Sequence, residues 1–131
     1  MSEHVYHTLA PVFDGNSRVL ILGSMPSPKS RAAGFYYAHP QNRFWKTLAA
    51  VFGVPPFLST EEKRAFCAER GIALWDVIAE CDITGASDAS VKNAVPNDFS
   101  LIFTACDIKT IFTTGKLAHD LLYKLCGTES V

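Results

Sequence analysis

A chain of 131 residues, 48% hydrophobic and 19% charged, carries enough apolar material for one core, which predicts a single domain over residues 1–131. Its net charge of −1 excludes a protein that grips nucleic acid through a broad basic surface, while leaving room for a few local phosphate contacts. No window reaches the roughly 18 apolar residues of a membrane span, and the N-terminus MSEHVYHTLAPVF lacks the basic-then-apolar order of a secretion signal, so a cytoplasmic protein without a membrane partner is expected.

The first predicted element is the continuous apolar run Arg18–Leu22, closed by Gly23, the pattern of a buried parallel strand. Ser24–Pro40 is rich in Gly, Pro and Ser and is predicted as loop. From Asn42 the apolar positions Phe44, Trp45, Leu48, Val51 and Phe52 follow helical spacing until Gly53 and Pro55 stop it. Ser59 with Glu62 reads as a capping box for a helix that ends at Gly71. Ile72–Val77 is a second strand, and Asp82–Pro96 is polar and turn-prone. Asn97 is placed to cap a third helix with Phe99, Ile102, Phe103 and Cys106 on one face. Thr110–Thr113 makes a third strand, and Gly115 opens a last helix with Leu117, Leu121, Leu122 and Leu125 inward and Gly127 past its end.

Strands alternating with helices predict an α/β fold, a three-layer α/β/α sandwich around a short parallel sheet. Three strands are visible; a fourth is expected after the last helix and is missing, which suggests C-terminal truncation. Cys67, Cys81, Cys106 and Cys126 form no close pair, so free thiols are expected rather than a zinc, redox or iron–sulfur site. His4, His7, His39 and His119 form no metal-binding pair either, and neither a metal nor a cofactor is expected.

The chemistry concentrates between Leu20 and Trp45. A strand runs into a Gly/Pro/Ser turn, then two adjacent tyrosines, then a polar cluster that opens a helix. This order brings backbone N–H groups and flat aromatic faces to the end of a strand where open sheets bind ligands. Gly23 permits close backbone approach, and the N–H groups of Ser24 and Met25 can meet developing negative charge. Lys29, Arg31, Arg43 and Lys46 fall in or beside this stretch, as phosphate contacts or as ordinary solvated charges.

Gly23–Ser27 (GSMPS) followed by Gly34–Trp45 (GFYYAHPQNRFW) resembles the first motif of the uracil-DNA glycosylase superfamily. The GF, AHP and NRFW pieces are similar to the mismatch-specific uracil/thymine glycosylases, while GSMPS with tandem tyrosines resembles the hypoxanthine (deoxyinosine) DNA glycosylase branch. The likeness continues through LWDV and TIFTTG. It implies a base-excision repair enzyme that takes a deaminated base, hypoxanthine or uracil, out of DNA and hydrolyses its N-glycosidic bond with water, without a lysine Schiff base.

By the same resemblance, Tyr37 stacks on the flipped base and Asp76 reads it; the chemistry of the turn then has the Gly23, Ser24 and Met25 backbone receive the departing base, and their place beside the site offers Lys29, Arg31 and Arg43 as DNA phosphate contacts. Met25 stands where many branches carry an Asp or Asn that positions water, a task a thioether cannot do. The hypoxanthine branch implies a catalytic Asn elsewhere, which selects Asn42, with His39 second. Asn42 also reads as a helix cap, Asp76 as a strand-end anchor, and the tyrosines as core packing. The family's second motif, a Pro/Ser-rich loop after the last strand, has no counterpart before Val131. A catalytically impaired nucleic-acid-binding remnant and a hydrolase of free nucleosides or nucleotides are therefore the competing readings. An unpaired third strand would let an otherwise monomeric protein associate.

Overall fold

Leu20, Ile21 and Leu22 are consecutive and all buried, so both faces of their strand are covered. A computed structural model describes residues 2–38, 42–85 and 87–126. In chain order its elements are β1 (Glu3–Tyr6), β2 (Val19–Gly23), α1 (Pro28–Ala33), α2 (Phe44–Phe52), α3 (Thr60–Arg70), β3 (Ile72–Asp76), β4 (Ile78–Ile83), β5 (Lys92–Pro96), α4 (Ser100–Phe103), β6 (Thr110–Thr113) and α5 (Lys116–Cys126). The apolar run is β2, the centre of a parallel sheet of order β3-β2-β6. Gly23 pairs with Asp76, and Leu22 pairs with both Trp75 and Thr113. The C-terminal ends of the three strands therefore lie side by side. This is the α/β sandwich with a short parallel sheet that the strand–helix alternation predicts.

A second sheet, antiparallel and of order β1-β4-β5, was not legible. The segment Asp82–Pro96, expected as loop, gives the end of β4 and all of β5. The buried residues of β4 are Ile78, Cys81 and Ile83, packed with Val5, Met25, Val91 and Ala94 into a small separate cluster. Its outward positions are charged, and register shifts between Ile78 and Glu80 and between Glu80 and Asp82 break the alternation on which strand detection relies. His4 clamps the polar face, its Nδ1 lying 2.7 Å from Asp82 Oδ1 and its Nε2 3.0 Å from Glu80 Oε1.

Val77 alone separates the sheets. Its N–H donates to Gly23 O at 2.8 Å and that of Ile78 to Ser24 O at 3.1 Å, so β4 begins as a continuation of β3 and then leaves for the other sheet. Asn97 does not cap a helix. Its Nδ2 donates to Asp76 O at 2.9 Å and Ile78 O at 3.2 Å, fastening this junction. The helix it was expected to start is only the short α4, whose Ser100 N–H is taken by Asp98 Oδ1 at 3.0 Å.

Inside the expected loop Ser24–Pro40 sits α1. Ser27 accepts from Ser30 N, Pro28 opens the helix and Gly34 ends it at φ 76°, signals that six residues of helix were too short to reinforce by periodicity. The other boundaries follow the sequence closely: Ser59 accepts from Glu62 N, and Gly71 closes α3 in the left-handed region at φ 70°. Leu121 and Leu122 of α5 pack on the main core; Gly127 and the side chain of Leu125 lie outside the described residues. No helix among the described residues is long and apolar enough to cross a membrane.

Candidate active site

The three strand ends open into a cleft of about 540 Å³, bounded by the Gly23–Ser27 turn, the tyrosines, the start of α2, Asp76 and Thr114. Gly23 is its floor. A Cβ there would stand 2.5 Å from Asp76 Oδ1 and 3.2 Å from both Thr114 Oγ1 and the Tyr37 hydroxyl. Three polar side chains thus converge over a bare Cα, an approach only glycine allows.

Asp76 comes from the last position of β3, and its side chain is only 4% exposed, as is that of His7. His7 Nε2 lies 2.7 Å from Asp76 Oδ2. A carboxylate accepts, which assigns the hydrogen to Nε2. The backbone N–H of His7 donates to Ala79 O at 2.7 Å, fixing the segment that follows β1 against the sheet junction.

The tandem tyrosines divide their work. Tyr36 is buried, its hydroxyl donates to Ala10 O at 2.9 Å, and its carbonyl accepts from Trp45 Nε1 at 2.9 Å. Tyr37 has φ 54°, a left-handed conformation that a bulky residue adopts only at a cost of order 1–3 kcal/mol. That backbone reversal turns its ring away from its neighbour's course and onto Phe44, at 4.0 Å between centroids and 20° between planes. Its hydroxyl donates to Thr114 Oγ1 at 3.2 Å, and Thr114 passes a hydrogen bond on to Leu22 O at 3.4 Å. Burial first, and then the charge of Asp76, raise both phenol pKa values above the ordinary 10.0, so both hydroxyls stay protonated donors.

Ser24 and Met25 line the same cleft. Ser24 Oγ donates to Asp88 Oδ1 at 3.1 Å. The backbone N–H groups of Ser24 and Met25 donate to no acceptor among the described residues. The Met25 side chain packs against the Ile78–Cys81–Ile83 cluster. Asn42 lines the cleft from the α2 side, where its Oδ1 accepts from Phe44 N at 2.8 Å. This is an Asx-type bond made from the residue before the helix: Arg43, not Asn42, stands at the N-cap of α2, and no side chain caps it. Arg43 is exposed at the rim.

Lys29 and Arg31 do not reach the cleft wall. Lys29 is exposed on α1, and the Arg31 guanidinium donates to Pro26 O at 3.1 Å, bracing the turn. His39 lies outside the described residues. Three cleft-associated residues escaped the sequence reading. Thr114 directly follows a strand, the same signal that selects Asp76; Asp88 lies inside the polar, turn-prone Asp82–Pro96 segment, where one acid does not stand out from its neighbours; His7 has no local signal at all. Among the described residues no group of His, Cys, Asp or Glu is arranged to hold a metal ion.

The model of the uracil DNA glycosylase superfamily matches residues 10–130. The chain is 34% identical over 124 residues to a hypoxanthine DNA glycosylase of Methanosarcina barkeri, covering 92% of this chain and 78% of that protein. A hypoxanthine DNA glycosylase of Methanosarcina acetivorans is 34% identical over 90 residues, 68% of this chain and 57% of its own. The solution NMR structure of a candidate uracil DNA glycosylase from Methanosarcina acetivorans superposes with a TM-score of 0.78 at 29% identity, over 97% of this chain and 78% of the other. With the fold, the motif-bearing turn and the sequence match in agreement, the chain belongs to the uracil DNA glycosylase superfamily.

Proposed function

We propose that this protein is a DNA glycosylase that removes a deaminated base, hypoxanthine or uracil, by hydrolysing its N-glycosidic bond. The observation that carries the reading is the cleft above Gly23, where an aromatic wall, a buried carboxylate and backbone N–H groups without an acceptor among the described residues meet in a space with room for an extruded nucleotide. A base turned out of the duplex stacks on Tyr37 and offers its edge to Asp76. As the bond from C1′ to the ring nitrogen breaks, its electron pair stays with the base, and the N–H groups of Ser24 and Met25 face the growing negative charge. Water adds to C1′ and leaves an abasic site. Asn42 Oδ1 gives one lone pair to Phe44 N–H and retains another to orient that water; His39 is the second candidate for this task. No lysine lies among the described cleft residues, which favours water over a Schiff-base nucleophile. Arg43 at the rim and Lys29 on α1 are the nearest proposed phosphate contacts.

Single-turnover assays with oligonucleotides carrying one inosine or one deoxyuridine, followed by alkaline scission of abasic sites, test this reading. Base-dependent scission with inert free nucleosides is expected. Binding without scission would instead support a non-catalytic DNA-binding protein, and hydrolysis of free nucleosides a small-molecule hydrolase. Asn42→Ala is expected to slow excision by about 10²-fold and to lose about 1 kcal/mol of stability with the bond from Phe44 N–H. Full activity in that variant would move the task to His39.

A further inference from the structure

Asp76 is the one acidic residue buried among the described residues. A carboxyl group at that depth needs partners for both oxygens. Oδ2 has His7 Nε2 at 2.7 Å. Oδ1 accepts from no described residue, and it is the atom that stands over Gly23 in the cleft. The neighbouring polar atoms are committed elsewhere, the Tyr37 hydroxyl to Thr114 and Thr114 to Leu22 O. An acceptor with no partner among the described residues is thereby left facing the space where a base would sit, reachable only from the cleft, and the orientation of its carboxylate is set from behind by a histidine whose own backbone is fixed to Ala79.

We propose that His7 is a positioning residue for base selection: its Nε2–H turns Asp76 so that Oδ1 receives the ring N–H that deaminated bases carry. The inference rests on the glycosylase reading and deepens it. Hypoxanthine presents N1–H and uracil presents N3–H, each a donor to Oδ1. Adenine N1 and cytosine N3 are acceptors, and would oppose a lone pair to a lone pair while leaving a buried carboxylate oxygen unpaired. The pair thus separates each deaminated base from its parent. Guanine and thymine carry the same N–H and are left to the shape of the cleft.

The test compares the full chain with His7→Leu, which removes the donor, and His7→Gln, whose amide nitrogen reaches about as far as Nε2. Each protein is titrated with free hypoxanthine and free adenine by NMR, and each is assayed on the inosine oligonucleotide. The unmodified chain should prefer hypoxanthine to adenine by roughly 10- to 100-fold, the scale of one hydrogen bond to a charged group. His7→Leu should bring that ratio to within about 3-fold and slow inosine excision in proportion, while His7→Gln should preserve both. The His7 Nε2 resonance of the unmodified chain should shift with hypoxanthine and not with adenine, a readout that survives if His7→Leu fails to fold. A folded His7→Leu protein with the preference intact, a folded His7→Gln protein as impaired as His7→Leu, or a Nε2 resonance indifferent to hypoxanthine would overturn the proposal. Selective, His7-dependent binding of hypoxanthine without excision would uphold it and remove the glycosylase reading alone. Excision with no dependence on His7 would do the reverse.

Discussion

An alanine at position 23 would place its Cβ 2.5 Å from Asp76 Oδ1 and 3.2 Å from Thr114 Oγ1. Asp76 is short and held by His7, so the carboxylate cannot retreat without surrendering that bond. Gly23→Ala is therefore expected to destabilise by about 1–3 kcal/mol, the usual cost of overfilling a packed site, and to slow base excision together with it. Urea unfolding and the inosine assay check both; unchanged values would mean that Oδ1 swings freely. The contrast between Gly23 and His7 also shows what a sequence can reveal at this scale. Gly23, Tyr37 and Asp76 stand at strand ends or in a turn beside a strand, where position alone suggests a ligand. His7 acquires its place only when β1 docks on β4, a pairing 76 residues distant in sequence at the His4–Glu80 contact. The tyrosines show a finer limit: both line the cleft, but that the Tyr36 hydroxyl is tied to Ala10 while the Tyr37 hydroxyl stands over Gly23 depends on one positive φ, which two identical adjacent side chains do not announce.

Asn97 is where an element-level expectation and the observed structure part most sharply. As a helix cap it would use its side-chain oxygen, and aspartate would serve as well. In the structure it uses its amide hydrogens, which reach the carbonyls of Asp76 and Ile78 and close the corner between the parallel and antiparallel sheets. Asn97→Asp removes both donors and sets a carboxylate against two carbonyl oxygens. We expect a loss of about 1–3 kcal/mol in chemical unfolding, comparable with that of Asn97→Ala; an aspartate variant as stable as the original chain would restore the capping role. Elements with a long, uniform signal, such as the apolar run of β2 or the capped and glycine-closed α3, were legible because burial and local chemistry agree there. β4 and β5 were not, since their inward residues form only a small cluster, while charged side chains and register shifts dominate the pattern.

Across the whole molecule, the parallel sheet is asymmetric. β3 is buried along its length, whereas β6 pairs only with β2 among the described residues, and Phe112 on it is 57% exposed. An edge of unpaired backbone groups beside an aromatic side chain is a template for another strand. Protection near it is slight: the Lys109–Asp107 ion pair at 2.8 Å is itself exposed and contributes little. With a net charge of −1, copies of the chain also repel one another weakly. The protein is thus expected to be monomeric at low concentration and to associate along β6 as concentration rises. Phe112→Lys places a charge on the edge without touching the cleft, since Phe112 is not among its lining residues. Sedimentation velocity over a concentration series should show association in the original chain and its reduction in the variant, with the result of the inosine-oligonucleotide assay the same for both. Association equally strong in Phe112→Lys would locate the contact elsewhere, and a monomer at every concentration would show that the β6 edge is closed by other means.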